Sequence, residues 1–473
     1  MRILYTSKCL FYRIFRTMIT RNLLRYSFVF FSVVWYVLIY FYLDRSEFIF
    51  LTSGLIVLGV SYLYWVVNNS FSGRQIILLA VLYRALLLVG TPNLSDDFYR
   101  FFWDGNLINS GINPYEFTPS EYLSLADEEN SVEWQQVYPF LNSQEYYSVY
   151  PPVNQFFFAL ASFLAGGNLA YSVFFLKLFI FLFDIALVVL LIQFLKKLLL
   201  PVSFAQIYAL NPLVIIELTG NIHFEGVMLF FLFAGCYFLE KQKMLLTSFL
   251  LALSIGTKLI PLLLLPLLVP FLGKAKSLTL FLATGMFLLL FSYPFASFEV
   301  GMNFYQSIDL YFQSFEFNGS MYYMLKELSY LIHGYKSPWV AWILPILVIL
   351  VILSMVVYLW RTKPYLRNSK FNFLLFSKYS SYCIGVYYLF STSVHPWYVI
   401  NLLVWSVFVP IRASIYWSLF VFVSYIAYSS FTVSFAPHGD FNNYWLYYVL
   451  IAIQYLVVVI IFTFDFLKKK IRL

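Results

Sequence analysis

The sequence predicts an all-α integral membrane protein of about 13–14 transmembrane helices, with two long external loops and no separate soluble domain. Three observations lead there. Of 473 residues, 62% are hydrophobic and only 11% charged, where a soluble domain carries about a quarter charged residues. Mean hydropathy is +0.79, and apolar runs near the length of a bilayer core recur through the chain. The basic residues fall in short loops between those runs, as orientation signals do. A net charge of +8 therefore reads as membrane topology with lipid as the partner, and no nucleic acid is expected. Cys9, Cys236 and Cys383 are scattered and form neither a disulfide framework nor a metal-ligand spacing.

Taken in order, residues 1–26 form a basic cytoplasmic lead-in (Arg2, Lys8, Arg13, Arg16, Arg21, Arg25) without a cleavage site. Its Leu10, Phe11, Ile14, Phe15 and Met18 have helical spacing, so it is expected to lie along the membrane surface. Spans are predicted at about 27–43, 49–67, 75–91, 169–195, 203–219, 225–239, 244–258, 259–272, 277–294, 338–360, 371–392, 397–411, 415–433 and 444–466. The run Leu245–Leu272 is read as two short helices, because that puts Lys241, Lys243, Lys274, Lys276 and the later basic loops on the side of the N-terminus. The basic tail 467–473 follows on that side. Residues 1–473 are thus one transmembrane domain. The first external loop, 92–168, contains the apolar stretch "FFFALASFLAGG", too short to span; the second external loop is 295–338.

Acidic residues sort independently. Only Glu240 and Asp465 fall clearly on the cytoplasmic side, whereas the far side receives Asp44, Glu47, Asp96, Asp97, Asp104, Glu225, Glu299, Asp309, Glu316, Glu327 and Asp440. Acids contribute little to orientation, so the functional polar surface is predicted to be external. An aspartate at the bilayer centre costs about 2.5–3.5 kcal/mol, which places the adjacent Asp96 and Asp97 at or above the outer boundary. Such a pair can bind a cation, take a proton from a hydroxyl, or hold a hydroxyl substrate; the plainer alternative is a solvated loop with helix-capping acids.

Other external loops add polar groups: "GNIHFEG" supplies His223 and Glu225, "SFEFNGS" supplies Glu316 and Asn318, "SVHPWYV" supplies His395, Trp397 and Tyr398, and "PHGDFNN" supplies His438 and Asp440. Trp103, Trp397 and Tyr146, Tyr147 and Tyr150 suit sugar stacking and equally suit an interfacial aromatic belt. Intramembrane charges are functional candidates by default, here Arg84, Lys177, Asp184, Glu217, Lys258 and Lys378. Arg84 and Lys258 lie in outer halves of helices, where they can face a lipid phosphate or pair internally with Asp184 or Glu217.

The motifs "LSDDFYRFFWDG", "GINPYEF", "YPPVNQ", "NPLVIIELTGNIHFEG", "FEFN" and "HPWY", in that order over about residues 75–400, resemble GT-C-type membrane glycosyltransferases, in particular polyprenyl-phosphate-mannose-dependent mannosyltransferases and their bacterial relatives. The resemblance implies transfer of a sugar, mannose above others, from a lipid-linked donor to an acceptor hydroxyl (glycan, glycolipid or other lipid) on the external face, with inversion. It makes Asp96 or Asp97 the general base, with Asp96 favoured as the first acid. Arg84, Arg100, Lys258 and His395 become candidates for the donor phosphate. Trp103, Asp104, Tyr150, Asn154, His223, Glu225, Glu316, Asn318 and Trp397 become candidates for sugar or acceptor. The resemblance names no certain cofactor: a divalent metal ion at the acidic pair is compatible with it, and some relatives work without one. "YPPVNQ" points to a bacterial plasma membrane rather than the endoplasmic reticulum. The rival reading is a transporter or flippase of a lipid-linked sugar, which would spread polar residues through the membrane depth.

Overall fold

A backbone crossing hydrocarbon must satisfy its own N–H and C=O groups, so long apolar runs become helices. A computed structural model describes residues 2–125, 134–313, 315–429 and 441–470. Among these no strand forms; the one sheet-like feature is a parallel bridge between Phe317 and Ser393. His438 and Asp440 lie outside the described residues.

Among the described residues, six helices are long and apolar enough to span by themselves: Asn22–Tyr42, Phe48–Asn68, Leu169–Lys197, Lys274–Phe295, Trp342–Thr362 and Trp445–Asp465. The other predicted spans are shorter or broken. Val202–Ala209 and Pro212–Gly220 meet at a bend of 52°, because Pro212 offers no N–H to continue the helix and the Asn211 side chain caps the new start. Met244–Thr257 and Ile260–Leu272 are separate apolar helices, divided at Lys258, whose backbone is extended at φ −150°, ψ 144°. The third span, expected over 75–91, is the helix Gly73–Ala85, capped at Ser72 by a capping box; turns and bends occupy residues 86–90. Residues 2–42 form one unbroken helix, so the basic lead-in continues directly into the first span.

The deepest part of the core joins Gly73–Ala85, Leu169–Lys197 and the bent pair. There Arg84 Nε donates to Asp184 Oδ2 at 2.5 Å, Arg84 Nη1 donates to the carbonyls of Ala80 and Ala209, and Tyr208 Oη donates to Asp184 Oδ1 at 2.7 Å. Ion pairs elsewhere join residues assigned to one side. Lys197 pairs with Glu240 and Arg412 with Asp465 among the basic loops, and Arg45 pairs with Asp96 among the external ones.

The loop 92–168, predicted to be external, is built on a helix pair. Asp97–Asn109 lies against Pro152–Leu164 so closely that a Cβ on Gly105 would sit 2.4 Å from the Phe158 carbonyl oxygen. The loop 295–338, also predicted to be external, carries two amphipathic helices, Phe298–Gln313 and Met321–His333. Asn303 Nδ2 donates to the Tyr115 carbonyl and Ser307 Oγ to the Tyr147 carbonyl, tying the two loops together.

Candidate active site

Asp96 precedes the helix Asp97–Asn109 as its N-cap residue, yet its side chain makes no capping bond. It accepts instead from Arg45 Nη2 at 2.6 Å, from the turn between the first two spans. Asp97 sits in the first helical turn, where the helix dipole favours an anion. Its Oδ1 accepts from Asn142 Nδ2 at 2.9 Å, and the residue keeps part of its surface open. Burial raises the Asp97 carboxyl above the ordinary range; the Asn142 hydrogen bond and the Lys258 and Arg45 charges pull it back in part, while Asp96 adds to the rise.

Two asparagines hold this loop in place. Asn93 Nδ2 donates to the carbonyls of Ile39 and Leu43, fixing the loop to the end of the first helix. Leu94 N donates to Asn221 Oδ1 at 3.1 Å, joining "LSDD" to "GNIHFEG" across 127 residues. The turn it reaches is irregular: Ile215–Gly220 is π-helical, and Ile222 takes φ 61°. A β-branched residue with positive φ is strained, and wide helical turns occur often at functional sites. That turn delivers His223 and Glu225. Glu225, fully buried, pairs with Lys258, which remains 21% exposed.

A column of rings closes the other wall. His223 stacks on Trp397 with centroids 3.6 Å apart, Trp397 on His395 at 4.6 Å, and His395 on Phe317 at 4.8 Å. The backbone bridge aligns the last two: Val394 N donates to the Phe317 carbonyl at 2.7 Å. His223 Nε2 also lies 3.4 Å from Glu217 Oε2, whose other oxygen accepts from Tyr425 Oη. Buried Glu225 Oε2, His223 Nε2 and His395 Nδ1 make no hydrogen bond within the described residues. Buried polar atoms are normally satisfied, and where they are not a functional reason is the first to seek.

The predicted residues thus divide. Asp96, Asp97, Glu225, Lys258, His223, His395 and Trp397 come to one region. Arg84 does not; it is fully buried, with Nε on Asp184, Nη1 on carbonyls and Nη2 without a hydrogen bond among the described residues. Arg100 is likewise turned inward, to Asp104 at 2.7 Å and to the carbonyls of Ser143 and Tyr146. Asp104 further accepts from Ser148 and Gln155, and Trp103 packs among Tyr122, Trp134 and Tyr138. These three brace the external loop. Tyr150 packs edge-on to Phe101 and Phe158. Asn154 is buried with Oδ1 unpaired among the described residues. Glu316 holds Lys326, Lys336 and Tyr322: burial pushes its carboxyl up, but the three hydrogen bonds outweigh this and leave it below the ordinary range. Asn318 is fully bonded to Val394, Gln454, Tyr447 and Tyr455. Arg45, Asn142 and Asn221 escaped the sequence reading. Only Arg45 carried a signal, a base in an acid-rich external turn. No group of three His, Cys, Asp or Glu side chains gathers as a metal-ligand set among the described residues.

The described helices belong to a multi-pass membrane protein. Residues 33–274 match the model of the alpha-(1->6)-mannopyranosyltransferase N-terminal domain, the MptA_B family. The chain belongs to that family, and is by that membership a mannosyltransferase. The matched segment includes Arg45, Asp96, Asp97, His223, Glu225 and Lys258. Comparison with curated proteins and with solved structures finds no match.

Proposed function

We propose that the protein transfers mannose from a polyprenyl-phosphate donor to an acceptor hydroxyl of a glycan, glycolipid or other lipid, with inversion, at the external face of a bacterial plasma membrane. The observation that carries this reading is Asp97: a half-open carboxylate between two carboxylate–cation pairs, Arg45–Asp96 and Lys258–Glu225. Asp97 removes the acceptor proton as the acceptor oxygen bonds to the anomeric carbon. The bond from that carbon to the phosphate oxygen breaks on the opposite face, and polyprenyl phosphate leaves with the electron pair. A base with a raised pKa is better matched to a hydroxyl than an ordinary carboxylate. Asp96, which chain order favours, pairs with Arg45 in the resting protein; the carboxyl that burial raises is that of Asp97, so the proton is assigned to Asp97. Lys258 supplies positive charge as the phosphate departs. The unpaired atoms of Glu225, His223 and His395 offer hydrogen bonds to sugar hydroxyls.

The test is transfer from radiolabelled polyprenyl-phosphate mannose in membranes carrying Asp96→Asn, Asp97→Asn or both. Transfer that persists in the double variant removes the catalytic assignment. The membrane side is tested at Ser46, which is exposed beside Arg45: a cysteine there should react with an impermeant reagent added outside, and labelling only from the cytoplasm would reverse the topology.

A further inference from the structure

Of three arginines near the external end, two are enclosed inside the protein. Arg84 and Arg100 direct Nε and Nη1 to buried carboxylates and carbonyls, and their Nη2 groups lie buried without a hydrogen bond among the described residues. Arg45 differs. Its Nη2 reaches Asp96, while Nε and Nη1 make no hydrogen bond among the described residues, and its side chain is 30% exposed. Its guanidinium lies over the Tyr428 ring, 4.8 Å from the centroid, which holds the plane of the fork. The turn that carries it is rigid. Asp44 Oδ1 accepts from Ser46 N, Glu47 Oε2 accepts from Asp44 N, and Asn93 ties Leu43 to the acidic loop.

We infer that Arg45 is a phosphate-binding residue, and that it takes the lipid phosphate in exchange for Asp96. This rests on the reading of a lipid-phosphate donor given above. A planar fork with unused donors matches phosphate in two-point contact. The need grows during transfer, because the donor phosphate is a diester with one negative charge and the product a monoester that gains a second. Asp96 is the internal competitor: its carboxylate occupies Arg45 when no phosphate is bound and reclaims it afterwards, which favours product release. The Arg45–Asp96 contact is thus a latch that limits affinity for the spent lipid.

Binding of a short-chain polyprenyl phosphate to the full-length protein in phosphatidylcholine nanodiscs tests this without any transfer step. Arg45→Gln should weaken binding by about 10-fold or more, and Arg45→Lys should recover part of it. Asp96→Asn should tighten binding, and that gain should vanish in the Arg45→Gln background, since the two residues act through one contact. Wild-type binding by Arg45→Gln overturns the inference. So does an Asp96→Asn gain that survives in the double variant, which would mean only that a nearby negative charge had gone. Free inorganic phosphate, run in parallel, should compete weakly; competition equal to that of the lipid would also overturn it. Asp97→Asn should abolish transfer and retain lipid binding, so loss of the base assignment and loss of this inference show as different results.

Discussion

Arg84 separates two accounts of an intramembrane charge, donor binding and internal support, and the structure predicts the outcome of changing it. Arg84 and Asp184 are both 0% exposed and meet at 2.5 Å. Asp184→Ala would leave the guanidinium with two carbonyls and no counter-charge. Removing one partner of such a pair costs about 3–5 kcal/mol, and no part of either group reaches solvent to soften it. A loss near 4 kcal/mol multiplies the unfolded fraction by about 10³. Arg84→Gln should lose a comparable amount, because Asp184 then keeps only Tyr208. Replacing both with apolar residues of similar volume, Arg84→Met with Asp184→Leu, should cost far less than the sum of the single changes. The assay is thermal unfolding of the purified protein in detergent, beside polyprenyl-phosphate binding measured on the folded fraction. The reasoning fails if Arg84→Gln unfolds like the wild type and has lost the lipid phosphate, for then the guanidinium works in the site and not in the core.

Four further outcomes are expected. Because burial raises the Asp97 carboxyl, transfer should fall on the acid side with a midpoint above the ordinary value of about 4; an ordinary midpoint in the pH–rate profile contradicts Asp97 as base. A raised carboxyl stabilises the fold below its unfolded pKa and loses that contribution as pH rises through the folded one. Asp97→Asn should therefore unfold at a higher temperature than the wild type at pH 7, with the difference shrinking towards pH 4. Gly105→Ala puts a methyl group 2.4 Å from a backbone oxygen, so the helices Asp97–Asn109 and Pro152–Leu164 must separate. The expected loss is about 1–3 kcal/mol in thermal unfolding, with reduced transfer; an unchanged melting temperature would refute that packing. Trp397→Ala removes the ring between His223 and His395 and should cost about 3–5 kcal/mol. Trp397→Phe should keep most of the stability by retaining a flat face, and equal losses from the two changes would deny the stack its role.

Particular residues show how far local information carries. Asp96 and Asp97 were legible because two adjacent charges cannot sit in hydrocarbon, whatever the rest of the chain does. The break at Lys258 agrees with the two-helix reading that charge sorting favours. Arg100 and Asp104 are i,i+4 on one helix and now form a contact at 2.7 Å, a pairing that spacing alone permits. Their burial beneath residues 143–155 was not legible, because it depends on a second helix arriving through Gly105. Some predicted spans proved short or broken where proline or glycine interrupts an apolar run, as at Pro212 and Gly273.

By itself the sequence determined that the chain is an all-helical multi-pass membrane protein, and that Asp96, Asp97, His223 and Glu225 stand where apolar runs give way to polar chain. Those properties depend on transfer free energy and helix geometry, which act over one span at a time. Only the tertiary structure decided the partners. Arg84 meets Asp184 across 100 residues, Leu94 meets Asn221 across 127, and Arg45 meets Asp96 across 51. A buried charge settles on whichever counter-charge packing brings to it, and that choice belongs to the assembled bundle, not to any stretch of chain read alone.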